Sequence, residues 1–247
     1  MRGVEKFLKT ELKVWIRTRE NIFWAVVFPL FWFILCRFAF PPLMGYTRLE
    51  TLEYFFPSGV SLIILVSSFT CLTISIASYK ERGILRRLAV TPISVSTYMI
   101  VEVVTALVFT ALSICLLSCI AACFGVRCHG PILSFVLIIL LGMFTFISIA
   151  FMIAGMSKNT KTAYIFAMIF MFAILFLSEF FPMGIAASSK WVQILSEILP
   201  GTALCHPLRD IIMGQGTLIG DNVKYIGILF GWLIGTIIVT TKTFRWK

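Results

Sequence analysis

The chain has 247 residues, of which 60% are hydrophobic and only 13% charged, with 24 phenylalanines and a formal net charge of +10. Soluble domains average about 25% charged residues, so a composition this apolar excludes a soluble globular domain and makes lipid the solvent for much of the surface. The basic excess gathers in a few segments, so nucleic-acid binding is not needed to explain it.

Residues 1–21 contain VEKFLKTELKVWIRTRE, which sets Val4, Phe7, Leu8, Leu12, Trp15 and Ile16 at helical spacing. Lysines fill most of the other face, the pattern of an amphipathic helix lying on a membrane interface. The same stretch is charged and has no continuous apolar run of the kind a cleavable signal peptide needs. A helix takes about 20 apolar residues to cross about 30 Å of hydrocarbon. Runs of that kind predict six spans, at about 22–40, 56–79, 97–126, 131–156, 162–181 and 222–241. They are read as helices because open strands leave backbone groups unsatisfied in lipid. The fold class is therefore an all-α integral membrane protein, with residues 1–247 forming one transmembrane domain.

Pro29 falls inside the first span, where a kink is tolerated if neighbours repair the freed carbonyl. FPPLMGYTRLETLEYFFP reads as the loop that follows, GVRCHGP as the turn between the third and fourth spans, and SKNTKT as the turn between the fourth and fifth. Residues 182–221 are too many for a turn and too apolar for an ordinary loop. Ser188 and Ser189 are placed to cap a short helix carrying Trp191, Ile194, Leu195 and Ile198 on one face, which Pro200-Gly201 ends. A second short helix carries Leu204, Leu208, Ile211 and Ile212 before Gly214. Two re-entrant half-length helices forming an outer lid over a pathway, and a pair of interfacial surface helices, both fit this pattern.

Topology follows from Lys and Arg near the span ends. The N-terminal segment, the second-to-third loop, the fourth-to-fifth loop and the tail carry 15 of the 21 basic residues, and the opposite loops carry six. Both termini are read as cytoplasmic, in agreement with an even number of spans. The basic side is expected to meet anionic lipid heads or an acidic protein surface.

Among single residues, Glu102 lies about one turn into the third span and is read as snorkelling or pairing with Arg86 or Arg87. Glu179 ends the fifth span, either at a pathway exit or as an exposed helix end. Tyr164, Phe166, Met168, Phe170, Met171, Phe172 and Phe176 give that span an adaptable apolar surface, suited to lipid or to a hydrophobic substrate. Gly227, Gly231 and Gly235 form a stripe read as a close-packing face within the subunit. Cys115, Cys119 and Cys123 share one face of the third span and are read as small packing residues. Cys128-His129 and Cys205-His206 together offer enough sulfur and nitrogen for tetrahedral zinc, or a Cys128–Cys205 disulfide, but their spacing matches no ordinary zinc pattern.

One charged island interrupts the apolar chain: YKERGILRRLAVTPIS, residues 79–94. With six spans and an amphipathic first helix, this island resembles the loop of the membrane subunit of ABC-2-type exporters, which commonly reads E-x-G-T-L-E-R-L and then T-P-[LI]-S. The matching residues are Glu81, Gly83, Leu85, Arg87 and Leu88, then Thr91, Pro92, Ile93 and Ser94, while Ile84 and Arg86 depart from the pattern. LPGTALCHPLRDII, residues 199–212, is similar to the segment before that family's last span.

The resemblance implies a coupling helix between the second and third spans that docks on a cytoplasmic ATPase. Its site residues would be Glu81, Gly83, Leu85, Arg86, Arg87, Leu88, Thr91 and Pro92. Leu85 and Leu88 offer apolar contact, the charges set register, and Pro92 ends the helix. The chain lacks the G-x-x-x-x-G-K-[ST] phosphate loop, so ATP and Mg are expected on the partner, with no cofactor in this chain. The expected assembly is two ABC ATPase subunits with two membrane subunits, the second a copy or a homologue, in the cell membrane. The resemblance also implies that the first, second and fifth spans flank the pathway, which makes Phe170, Phe176 and Glu179 candidate lining residues. The expected function is export of a hydrophobic drug, antibiotic or lipid-like molecule. Export of a lipid-linked glycan or an ion is the alternative within transport. An intramembrane enzyme would need paired acids or His-Asp groups at membrane depth, and a sensor would need an appended signalling domain.

Overall fold

The structure is a computed structural model and describes residues 2–39, 47–83, 95–178, 180, 190–215, 220 and 222–243. Among the described residues it is all-helical, without strands. Helix α1 covers Arg2–Arg17, and the extended backbone of Thr18 separates it from α2, Arg19–Ala39. Then follow α3 (Arg48–Glu81), α4 (Val95–Cys123), α5 (Ile132–Met156), α6 (Thr160–Leu177), two short helices α7 (Lys190–Ile198) and α8 (Pro200–Ile212), and α9 (Val223–Thr243). Six of them, α2 to α6 and α9, are long and apolar enough to cross a membrane.

Helix α3 starts well before the second span read from composition, inside what the sequence assigned to a loop. The cause is a capping box: the Thr47 hydroxyl accepts from the Glu50 amide at 3.3 Å, and the Glu50 carboxylate accepts from the Thr47 amide at 2.8 Å. Charges in this first turn hid a helix that hydropathy alone starts later.

Two spans contain π-helical turns, Phe23–Val27 in α2 and Ile64–Cys71 in α3. In α2 the cause is Pro29, which has no N–H to give the Ala25 carbonyl and whose ring crowds that carbonyl. The Phe28 amide instead bonds back to Phe23, five residues away. In α3 the hydroxyls repair the ladder: Ser67 donates to the Ile63 carbonyl at 2.6 Å and Thr73 to the Phe69 carbonyl at 2.7 Å.

Helix α3 is the centre of the bundle, with 83% of its most apolar window buried, against 22% for α2 and α6 and 11% for α9. It packs on α2, α5, α6 and α8, while α9 lies along α5 and α1 lies on α4. Phe69 sits where three helices meet, 5.4 Å from the Phe170 ring and 6.5 Å from Phe146.

The two short helices part company. On α8, Leu204, Leu208, Ile211 and Ile212 are all buried. Arg209 is buried too, over the Tyr54 ring at 4.1 Å and 3.4 Å from the Ser58 hydroxyl. On α7, Trp191, Ile194, Leu195 and Ile198 are exposed. Ser188 and Ser189, read as its cap, lie outside the described residues.

Two packing expectations are corrected. A Cβ added at Gly227, Gly231 or Gly235 would meet nothing within 4 Å, so this stripe faces outward rather than packing within the subunit. Close approach occurs instead at Gly142 under Leu204, and at Gly201 under Ile174 and Ser178. Cys115, Cys119 and Cys123 are likewise exposed, because α4 buries its opposite face through Phe109, Thr110 and Leu117.

Candidate functional site

Two of the candidate coupling residues, Glu81 and Gly83, stand at the end of the bundle where α3 finishes. The helix stops because Gly83 adopts φ +65°, a left-handed conformation that side chains rarely take, and its amide bonds to the Lys80 carbonyl at 3.2 Å. Just before this stop, Lys80 Nζ donates to the Gly155 carbonyl at 2.7 Å and the Ser157 carbonyl at 3.1 Å, at the C-terminal end of α5. Glu81 accepts from the Thr160 amide at 2.9 Å and also from the Thr160 hydroxyl, at the N-terminal end of α6. A cation thus meets the negative pole of one helix and an anion the positive pole of the next. The sequence assigned Glu81 to an intermolecular contact; here its carboxylate is held inside the chain. Leu85, Arg86, Arg87, Leu88, Thr91 and Pro92 lie outside the described residues.

Above this corner a cavity of about 610 Å³ opens between α1, α2, α3 and α6, within the range of about 300–1,000 Å³ common for small-molecule sites. Both π-helical turns contribute to it, through Trp24 on one side and Thr70 and Cys71 on the other. Tyr164 and Met168 of α6 close a further side, and Glu20 and Asn21 supply polar groups near the start of α2. Such π turns occur often at functional sites because they re-aim side chains within a span.

Beside the cavity, α1 docks on α4 through a buried polar patch. Trp15 is buried edge-on to Phe109 at 5.5 Å, and Glu11 is buried next to it. The Tyr79 hydroxyl donates to Glu11 at 3.2 Å, and the Tyr98 hydroxyl donates to Glu102 Oε1 at 2.8 Å. Burial pushes the Glu11 carboxyl above the usual carboxylate range, and the Tyr79 hydrogen bond offsets part of this. The reading of Glu102 as snorkelling is corrected: the residue is fully buried, and among the described residues its Oε2 has no hydrogen-bond partner, while Arg86 and Arg87, the alternative partners, lie outside them. Tyr98, one turn away on the same helix, provides the local partner that its depth requires.

The other sequence-derived residues fall in scattered places. Phe170 is half-buried between Phe69 and Trp232, whose ring is 6.2 Å away, so it packs inside the subunit. Phe176 is exposed and stacks on Phe172 at 6.2 Å. Glu179 lies outside the described residues. Cys128, His129, Cys205 and His206 do not converge. Cys205 is buried against Ser58 at 3.4 Å, and His206 stacks on Tyr225 at 4.5 Å. Cys128 is exposed, and His129 Nδ1 lies 3.1 Å from the Ile212 carbonyl. Cys128 and Cys205 are not joined to each other by a disulfide.

Sequence reasoning missed Trp24, Tyr79, Lys80 and Thr160. Pro29, four residues after Ala25, and the hydroxyl run Ser67, Ser68, Thr70 and Thr73 inside an apolar span were the available signals for the two π turns.

Comparison with protein families finds that the family model described as ABC-2 type transporter matches residues 4–213. Comparison with curated proteins finds no match.

Proposed function

The chain belongs to the ABC-2 type transporter family, and from that premise, which makes it a membrane permease subunit and a transport component rather than an ATPase, we propose that it works in an ATP-driven exporter of an amphiphilic, drug- or lipid-like molecule. Two ABC ATPase subunits bind ATP and Mg, and a second permease copy or homologue completes the pathway. The termini and the basic corner face the cytoplasm, and the complex resides in the cell membrane. The observation that carries this reading is the cavity: it joins α2, α3 and α6, and its indole, phenol and thioether side chains sit beside the polar groups of Glu20 and Asn21. A flat apolar molecule with one polar or cationic end matches that lining.

The charged segment after Gly83 is the docking element for the ATPase. Its arginines steer and register the encounter, and Leu85 and Leu88 seat it. Nucleotide binding closes the two ATPases, pushes this segment and opens the cavity to the outside. The test is affinity capture of the tagged chain from its native membrane, comparing wild type with Arg86→Glu/Arg87→Glu. An ATPase that co-purifies with wild type and is lost from the charge-reversed variant supports the reading. Capture of no ATPase by wild type, even after crosslinking, removes the engine and defeats it.

A further inference from the structure

We infer that Lys80 and Glu81 are positioning residues that tie the end of α3 to the turn between α5 and α6, so that α3 and α6, two sides of the cavity, move together when the ATPase acts. This rests on the ATPase-driven reading above.

Three observations carry it. The contacts come from consecutive residues and engage opposite helix poles, the ammonium on the last carbonyls of α5 and the carboxylate on the first amide of α6. A displacement of the α3 end therefore acts on both helices at once, with charge complementarity at each contact.

The turn itself is too short and too well tied to absorb such a displacement. Only Ser157, Lys158 and Asn159 separate α5 from α6. The Ser157 hydroxyl donates to the Ile153 carbonyl at 2.7 Å, and Asn159 Oδ1 accepts from the Thr162 amide at 2.8 Å. Motion delivered at Thr160 passes into α6 as a rigid body, and Tyr164, one turn further on, lines the cavity.

The third observation is where freedom lies. Gly83 stands two residues beyond Glu81 in a left-handed conformation, with open space where a Cβ would be. The pivot therefore lies outside the clasp, on the side from which the push arrives. Glu81 is exposed and Thr160 half-buried, so the contact adds little to the fold and its loss leaves the bundle intact.

The experiment is hydrogen–deuterium exchange on the whole complex purified from its native membrane, with and without ATP plus vanadate. In wild type, trapping is expected to change exchange both at the start of α4 and over the first turns of α6. Glu81→Ala is expected to capture its ATPase in wild-type yield and keep the α4 change, but to lose the α6 change. Thr160→Val keeps the backbone amide and is expected to show a partial loss. Glu81→Gln, which still offers an oxygen to Thr160, is expected to retain the change. Lys80→Met tests the α5 arm in the same way.

A merely structural cap would shift exchange equally with and without nucleotide, and that result overturns the inference. So does an α6 response in Glu81→Ala equal to wild type, or no α6 response in wild type. Failure of wild type to capture any ATPase is a separate result, and it overturns the transport reading together with this inference.

Discussion

Helices α7 and α8 are neighbours in sequence and both amphipathic, yet they end in opposite surroundings. Every apolar side chain that marks the α8 face is buried against α3, α5 and α9, and the matching residues of α7 are exposed. The difference is made by small residues and one cation. Gly201 and Gly142 let α8 approach within contact of its neighbours, and Arg209 finds the Tyr54 ring and the Ser58 hydroxyl inside. Helix α7 has no glycine and is held at its C-terminal end, where the Trp232 indole donates to the Ile198 carbonyl at 2.9 Å. A helical apolar stripe thus says which side is greasy; the residues between the stripe positions decide whether protein or lipid covers it.

The largest effect is expected at Gly201. Its added Cβ would land on the Ile174 side chain and 2.5 Å from the Ser178 hydroxyl, so Gly201→Val is expected to cost about 3 kcal/mol or more through overpacking. The thermal transition in detergent should fall by many degrees, while Trp191→Ala on α7 leaves it unchanged. Next comes Leu204→Ala against Ile194→Ala. In lipid the transfer part of a large-to-small change largely disappears, since the tails are as apolar as leucine. The cavity part remains, about 2 kcal/mol for the buried residue, while the exposed one stays within about 0.5 kcal/mol. Equal destabilisation by these two variants would mean that α7 is covered by protein after all.

A smaller effect is expected from Trp232→Phe, which removes the hydrogen bond to Ile198 and should cost about 1 kcal/mol. Faster hydrogen exchange confined to α7 is the check. If α8 loosens equally, the two helices open as one unit.

Helix α1 differs from both and gives the smallest effect. Like α8 it buries a polar group within its docked face, but here the group is Glu11, beside Tyr79, Tyr98 and Glu102. Burial raises the folded-state pKa of Glu11 above its unfolded value, so the docked helix favours the proton. That contribution is complete below the ordinary carboxylate range and fades as pH rises through the folded value. Protease sensitivity of α1 should therefore rise with pH, and Glu11→Gln should flatten the dependence. Sensitivity of α7, whose apolar face carries no such group, should not follow the same curve.

Much of the fold was legible because hydrophobic runs are long and their physics is simple. The six spans and the two short helices can be read from run length and from Pro200-Gly201. The site was legible only in outline. Glu81-x-Gly83 stands out by its charge and its glycine, but nothing local tells that Glu81 reaches Thr160, 79 residues away. Glu102 looked shallow because depth was counted along the chain, whereas α1 folds back over α4 and buries it. The stripe at Gly227, Gly231 and Gly235 misled for a related reason: glycine spacing permits close packing without requiring a neighbour. The π turns were signalled by Pro29 and by hydroxyls, but a 3.6-residue period assumed throughout a span conceals them.

The seat of α8 also bears on how the protein is made. Its 13 residues reach only about 20 Å as a helix, too little to be threaded across a bilayer as α3 and α5 are. During synthesis α8 must therefore wait until α3 and α5 stand in the membrane, and α9, which follows it in the chain, closes over α5 and α8. Between those events the nascent bundle carries an open slot shaped for α8. A chain stalled before α9 should accordingly be the form most open to quality-control proteases, and mutations in the slot should be felt first as lost yield.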